Sequence, residues 1–258
     1  MIPVPLPTGG ILGWRLLERT LDRQLDLVAS APSTDRLATA FRERIGDVRT
    51  ADDLVNDRQL LTVALGAFGL SDDINARALV RRVLEEGTGT SDALANRLAD
   101  RRYRDLAAAF AFDAPAGPNT GLPGFADRML DRFFRSELEV SVGEVDPDLR
   151  IALNAQEELA ALAARDITDE TAWLTVLGTP PLRQLMETAL GLPSGVATLD
   201  LDRQVEEFRG RADATFGTSR LAEIGGENLG RAIDLFLLRS SIQAGPPTSP
   251  ALVLLRGF

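Results

Sequence analysis

The residues best equipped for chemistry lie in one stretch, Arg97-Leu-Ala-Asp-Arg-Arg-Tyr-Arg-Asp-Leu-Ala-Ala-Ala-Phe-Ala-Phe112. It holds the only tyrosine of the chain, set among arginines and aspartates. Guanidinium forks match carboxylate and phosphate geometry, so Arg101, Arg102 and Arg104 are a candidate anion site. The same residues also fit a packed helix. Helical spacing puts Ala99, Tyr103, Leu106, Ala107 and Phe110 on one face, with Asp100 four residues before Arg104 and Arg101 four before Asp105. Because the aspartates already supply partners, the spacing predicts a structural motif, with the Tyr103 ring inward, its hydroxyl at the polar seam and Phe110 in the core. Two further acid pairs, Asp146-Pro-Asp148 and Asp200-Leu-Asp202, lack the remaining oxygens of a calcium loop and read as helix starts. Gly9-Gly10 and Gly225-Gly226 do not fit a dinucleotide fingerprint.

The missing residue types narrow the chemistry further. The chain has no Cys and no His, and all 28 of its basic residues are arginine. No thiolate nucleophile, imidazole base, Schiff-base amine, Cys or His zinc ligand or phosphate-loop lysine is available, so neither an enzyme nor a bound cofactor or metal is expected. A formal net charge of −10 argues against a nucleic-acid partner, which needs clustered positive charge. The amino-terminal residues have no basic segment before their apolar ones and do not read as a secretory signal. No uncharged run approaches the ~20 residues of a bilayer span, so membrane insertion is not expected.

The elements that must position these residues are helices. Aromatics make up 5% of the chain against 45% hydrophobic residues in all, the composition of a Leu/Ala/Val core, which predicts an all-α, multi-helix globular fold. Trp14, Leu17, Leu21, Leu25 and Val28 step by three and four along a first amphipathic helix. That face reads as core, and Trp14, Leu17 and Leu21 are the anchors it would offer if the helix swung out to a partner. A second helix follows Ser33 and stops near Gly46, Thr50-Ala-Asp-Asp53 reads as a cap, and Gly69 ends the next stripe. Ser71 and Ser91 read as starts of the following two helices, the latter running unbroken through Tyr103. Asp146-Pro147, Thr179-Pro180 and Asp200 open helices in the second half, and 136–145 is assigned to helix although it alternates enough for a strand.

The organisation expected from these signals is a tail over 1–10, a helical unit over 11–112, a Gly/Pro-rich linker over 113–124, a second helical unit over 125–242 and a tail over 243–258. Gly117-Pro-Asn-Thr-Gly121, inside that linker, reads as solvated chain in preference to a binding loop. Residues 54–70 and 176–192 share a helical pattern closed by Gly-Leu at one offset, Gly69 to Gly191. Two related units and a chance match of Leu-rich helices both account for it.

The stretches FRERIGDVRTADDLVNDRQLLTVALGAFGL, VRRVLEEG and LANRLADRRYRDLAAAFAF, with ALNAQEELAAL, TVLGTPPLRQLMETALGLP and LDLDRQVEEF further on, resemble the bacterial domain-of-unknown-function family 1217. The resemblance runs from about Gly9 to Arg239. Members of that family are often encoded among flagellar genes, so it implies a helical, flagellum-associated protein and brings no catalytic residue. The function expected is a non-enzymatic structural or assembly role through contacts with flagellar proteins or itself, in the basal body or filament and exported by the flagellar type III route. The alternative is a cytoplasmic assembly factor or chaperone for an axial subunit.

Overall fold

The computed structural model describes residues 9–243, and its regular elements among them are all helical. Most of the two expected tails, 1–8 and 244–258, lies outside the described residues. The chain divides into two compact units, one formed by Thr20–Ser141 and the other by 9–19 together with 142–243. Two long helices, α1 (Gly10–Ser30) and α8 (Phe125–Val145), are each shared between them.

In the first unit, α2 (Pro32–Arg44) packs on α4 (Arg58–Gly66), with α3 (Ala51–Asn56) between them in sequence. Thr50 and Asp53 form a reciprocal capping box at α3, and Asp57 accepts the Gln59 and Leu60 amides to start α4. The remaining helices are α5 (Arg77–Glu86), α6 (Leu94–Arg97) and α7 (Arg102–Phe110). Phe41, Leu54, Leu61, Val83, Leu106 and Phe110 share one buried core, where the Phe110 ring meets Phe125 edge-on at 5.3 Å.

Three expectations in this unit are corrected. Ser71 opens a 3-10 turn over Ser71–Asn75, and Ala76 separates that turn from α5. Ser91 caps no helix; the Glu86 carboxylate reaches forward from α5 and accepts the Leu94 amide at 2.6 Å, satisfying the start of α6 from outside its own sequence. The helix expected to run unbroken through Tyr103 is two helices, because Leu98 is extended and the chain turns before Arg102.

The segment 113–124 is not a linker between the units, since it lies within the first one. Thr120 is buried and donates to the Val48 carbonyl at 2.7 Å, and Asn119 donates to the Ala109 carbonyl at 2.9 Å. Those two bonds give a Gly/Pro-rich segment fixed partners in the unit it closes. The chain passes between the units within α1 and α8 instead.

In the second unit, α9 (Pro147–Ala163) and α14 (Leu229–Gln243) pack on α11 (Pro180–Leu190). Around them stand α10 (Asp169–Gly178), α12 (Leu201–Phe216) and α13 (Leu221–Ile224). Trp173 is fully buried, stacks edge-on with Phe208 at 6.0 Å and donates its indole N–H to the Ser219 carbonyl. The starts at Asp146-Pro147, Thr179-Pro180 and Asp200 all stand, and 136–145 is helical. At Thr179 the proline alone does the work, because the Thr179 hydroxyl donates back to Thr175.

The repeated Gly-Leu stop has the same geometry in both units. Gly69 and Gly191 take φ of +66° and +64°, and the amides of Leu70 and Leu192 each bond five residues back, to Leu65 and Glu187, at 2.9 Å. A 3-10 turn and then a helix follow each stop, the turn over Ser71–Asn75 in one unit and Ser194–Thr198 in the other.

Candidate interaction face

Tyr103 is 6% exposed, and its hydroxyl is hydrogen-bonded to Asp73 on the 3-10 turn. Burial first, and then the Asp73 carboxylate, push its pKa up from 10.0 to about 12. Asp100 does not pair along a helix with Arg104. Its Oδ1 accepts the Arg102 amide at 3.0 Å, and its carboxylate grips the Arg102 guanidinium at 2.6 Å. Arg102 also donates to the Gly69 carbonyl, at the end of the glycine-stopped helix. The hydrogen bonds from Arg102 hold the Asp100 carboxyl below its ordinary range. Arg101 and Arg104 are exposed and Phe110 is buried, so the structure joins Asp100, Arg102 and Tyr103 to the Asp73 turn and leaves the other two arginines at the surface. This is a device that ties α7 to the turn after α4.

The first helix places its residues less simply. Trp14 and Leu17 are 1% and 0% exposed, and Leu21 is half-buried, so the stripe expected to serve either core or partner is largely used within the chain. What holds the start of α1 is Asp146, which caps two helices at once. Its Oδ1 accepts the Asp148 amide of α9 at 2.9 Å and its Oδ2 the Gly10 amide of α1 at 2.8 Å. A side chain at Gly9 would collide with that carboxylate, its Cβ falling 2.4 Å from Oδ2, which accounts for one glycine of the Gly9-Gly10 pair. Further along α1, Arg15 pairs with Asp234 of α14 at 2.5 Å.

Each of the two helices so joined carries exposed apolar side chains. On α1, Leu12 and Leu16 flank Arg15 at helical spacing and are 71% and 37% exposed. On α14, Leu238 and Ile242 follow Asp234 by one and two turns and are 48% and 70% exposed. The start of α9 is tied to the same end of α14 by a hydrogen bond between Asp148 and Ser240, and burial, followed by the charge of Asp146, raises the Asp148 pKa. Leu12 and Leu16 on α1 and Leu238 and Ile242 on α14 are thus exposed apolar side chains of the second unit, on two helices joined by the Arg15–Asp234 ion pair. The Leu12/Leu16 spacing was present in the sequence as a second, weaker stripe of the same helix.

The first unit carries an open cleft of about 480 Å³ lined by Arg23, Asp26, Leu27, Asp35, Arg42 and Phe134. Arg42 is paired there with Asp127 at 3.3 Å. Glu137 on α8 has its pKa raised by burial. No group of three or more acidic side chains converges as a metal site among the described residues. Among those residues no helix is long and apolar enough to cross a membrane.

The model of a family described as a protein of unknown function, DUF1217, matches residues 67–218, from the end of α4 through α12 and well over half of the chain. The chain belongs to the DUF1217 family. It is also similar to a crystal structure, that of protein AGR_C_984 from Agrobacterium tumefaciens, with 26% sequence identity and a TM-score of 0.72. The match covers 95% of this chain and 100% of that one, so the arrangement of helices is common to both. Comparison with curated proteins gives no match. The DUF1217 match takes in Tyr103, Asp100, Arg102 and Asp146 but not the exposed apolar side chains of α1 and α14.

Proposed function

We propose that this protein is a non-enzymatic flagellar component, structural or assembly-related, that works through protein–protein contacts, and that the exposed apolar side chains of α1 and α14 make one of them. The observation that carries the contact role is the exposure of two apolar pairs at helical spacing, Leu12 with Leu16 on α1 and Leu238 with Ile242 on α14, on helices joined by the Arg15–Asp234 ion pair. Grouped apolar side chains on a surface are the usual mark of a contact site, whereas scattered ones are not. The flagellar setting rests on the resemblance of the sequence to a family often encoded among flagellar genes.

The burial pattern supplies a test that separates folding from contact. Trp14→Ala should destabilise the isolated protein by about 3–5 kcal/mol, because Trp14 is 1% exposed. Leu12→Asp with Leu238→Asp should cost far less, on the order of 1 kcal/mol or below at each site, since these side chains are 71% and 48% exposed. The doubly substituted protein should melt near the wild type, yet fail to co-purify with flagellar components and fail to support motility. If it is both stable and fully motile, the contact reading is wrong. Locating a tagged copy in the filament fraction, the basal body or the cytosol distinguishes the exported component from the assembly factor or chaperone.

A further inference from the structure

Among the described residues the helices fall into two series, α1–α7 and α8–α14, that run in the same order. The leading helices α1 and α8 are both 21 residues long, and the short sixth helices α6 and α13 are both 4 residues long. Corresponding helices begin at Gly10 and Phe125, Pro32 and Pro147, Arg58 and Pro180, and Arg102 and Leu229, so the interval between the series grows only slowly along the chain. The glycine stop with its 3-10 turn follows the fourth helix in both. We infer that the chain is two copies of one helical module, and that each copy gives the first part of its leading helix to the other copy's unit, as a strap that closes it.

The exchange is reciprocal. Residues 10–19 of α1 belong to the unit of 142–243, and residues 125–141 of α8 to the unit of 20–141. Within those units the two straps meet corresponding helices. The α1 strap is held at α9, where Asp146 accepts the Gly10 amide, and at α14, where Asp234 pairs with Arg15. The α8 strap is held at α2, where Arg42 pairs with Asp127, and at α7, where Phe110 meets Phe125. In the order of the series α9 corresponds to α2, and α14 to α7. Burial repeats along the straps as well. Trp14 and Leu17 are buried while Arg15, Leu16 and Arg19 are exposed, and Leu130 and Phe133 are buried while Asp131, Arg132 and Arg135 are exposed. Leu-rich helices match in pattern by chance, but chance does not also reproduce the stop geometry, the burial register and the helices that each strap meets. The consequence is mechanical: release of α1 from Asp146 loosens the second unit, although its residues head the first module.

The repeat also assigns a contact that no cap or ion pair marks. Phe133 packs so closely on α4 that a Cβ at Gly66 would fall 2.6 Å from its ring. In the burial register Leu17 corresponds to Phe133, so Leu17 should reach α11, the counterpart of α4. Two conservative substitutions in the full chain test this by NMR. Leu17→Val should shift the amide resonances of α9, α11 and α14 and leave those of α2, α4 and α7 in place, although these helices follow Leu17 more closely in sequence. Phe133→Leu should shift α2, α4 and α7 and leave α9, α11 and α14 in place. Shifts centred on α2, α4 and α7 in the first variant, or on α9, α11 and α14 in the second, overturn the exchange, and so do shifts spread evenly over both units. Undisturbed α11 amides in Leu17→Val overturn the equivalence of the two copies. No partner enters the measurement, so its outcome is independent of the contact role proposed for α1 and α14.

Discussion

Tyr103 should not ionise until well above the ordinary tyrosine range. Its ring is buried, and its hydroxyl is bonded to Asp73, whose negative charge disfavours a phenolate beside it. Together these move the group from 10.0 to about 12. At about 1.4 kcal/mol per pH unit, that difference amounts to roughly 3 kcal/mol. The sign follows from proton counting. Between pH 10 and 12 the unfolded chain has released its phenol proton while the folded chain keeps it, so stability is fully present below pH 10 and falls as pH rises towards 12. Because the chain has a single tyrosine, phenolate absorbance reads this one group without deconvolution. The folded protein should show no phenolate signal at pH 10.5, and the signal should appear together with alkaline unfolding. Tyr103→Phe should remove that alkaline loss at a cost of about 0.5–1.5 kcal/mol near neutral pH, whereas Tyr103→Ala should cost about 3–5 kcal/mol. A folded protein whose tyrosine titrates near 10 would refute the buried, Asp73-bonded assignment. Loss of cellular function in a fully folded Tyr103→Phe variant would refute the structural role.

Asp146→Ala removes the cap of two helices at once, so it should lower stability in urea denaturation by about 2 kcal/mol, roughly one per cap, while Asp146→Asn should retain most of it. Gly191→Ala meets both a φ of +64° and Arg239 Nη1 at 2.9 Å from the new Cβ, and should cost at least about 1–2 kcal/mol. By contrast, Gly210→Ala lies inside α12 with nothing within 4 Å of the added methyl, and should raise stability by about 0.4–1 kcal/mol.

The amino-acid sequence by itself determined the all-α class, the capping box at Thr50, the starts at Asp146 and Asp200 and the stops at Gly69 and Gly191. These depend on bonds between residues a few positions apart, or on one residue's own φ, so the local chain carries all the information. Where several partners lay within reach, tertiary structure decided. Asp100 stands four residues from Arg104 and two from Arg102, and it took Arg102 because the chain turns at that point and exposes the Arg102 amide. Thr120 was legible only as part of a polar, Gly/Pro-rich segment, since its partner is the Val48 carbonyl far along the chain. The first helix carries two apolar stripes, Trp14 with Leu17 and Leu12 with Leu16, and its periodicity favours the longer one without saying what covers it. Only the tertiary structure decided that Trp14 and Leu17 are buried while Leu12 and Leu16 stay exposed, because burial depends on neighbours that no local spacing encodes.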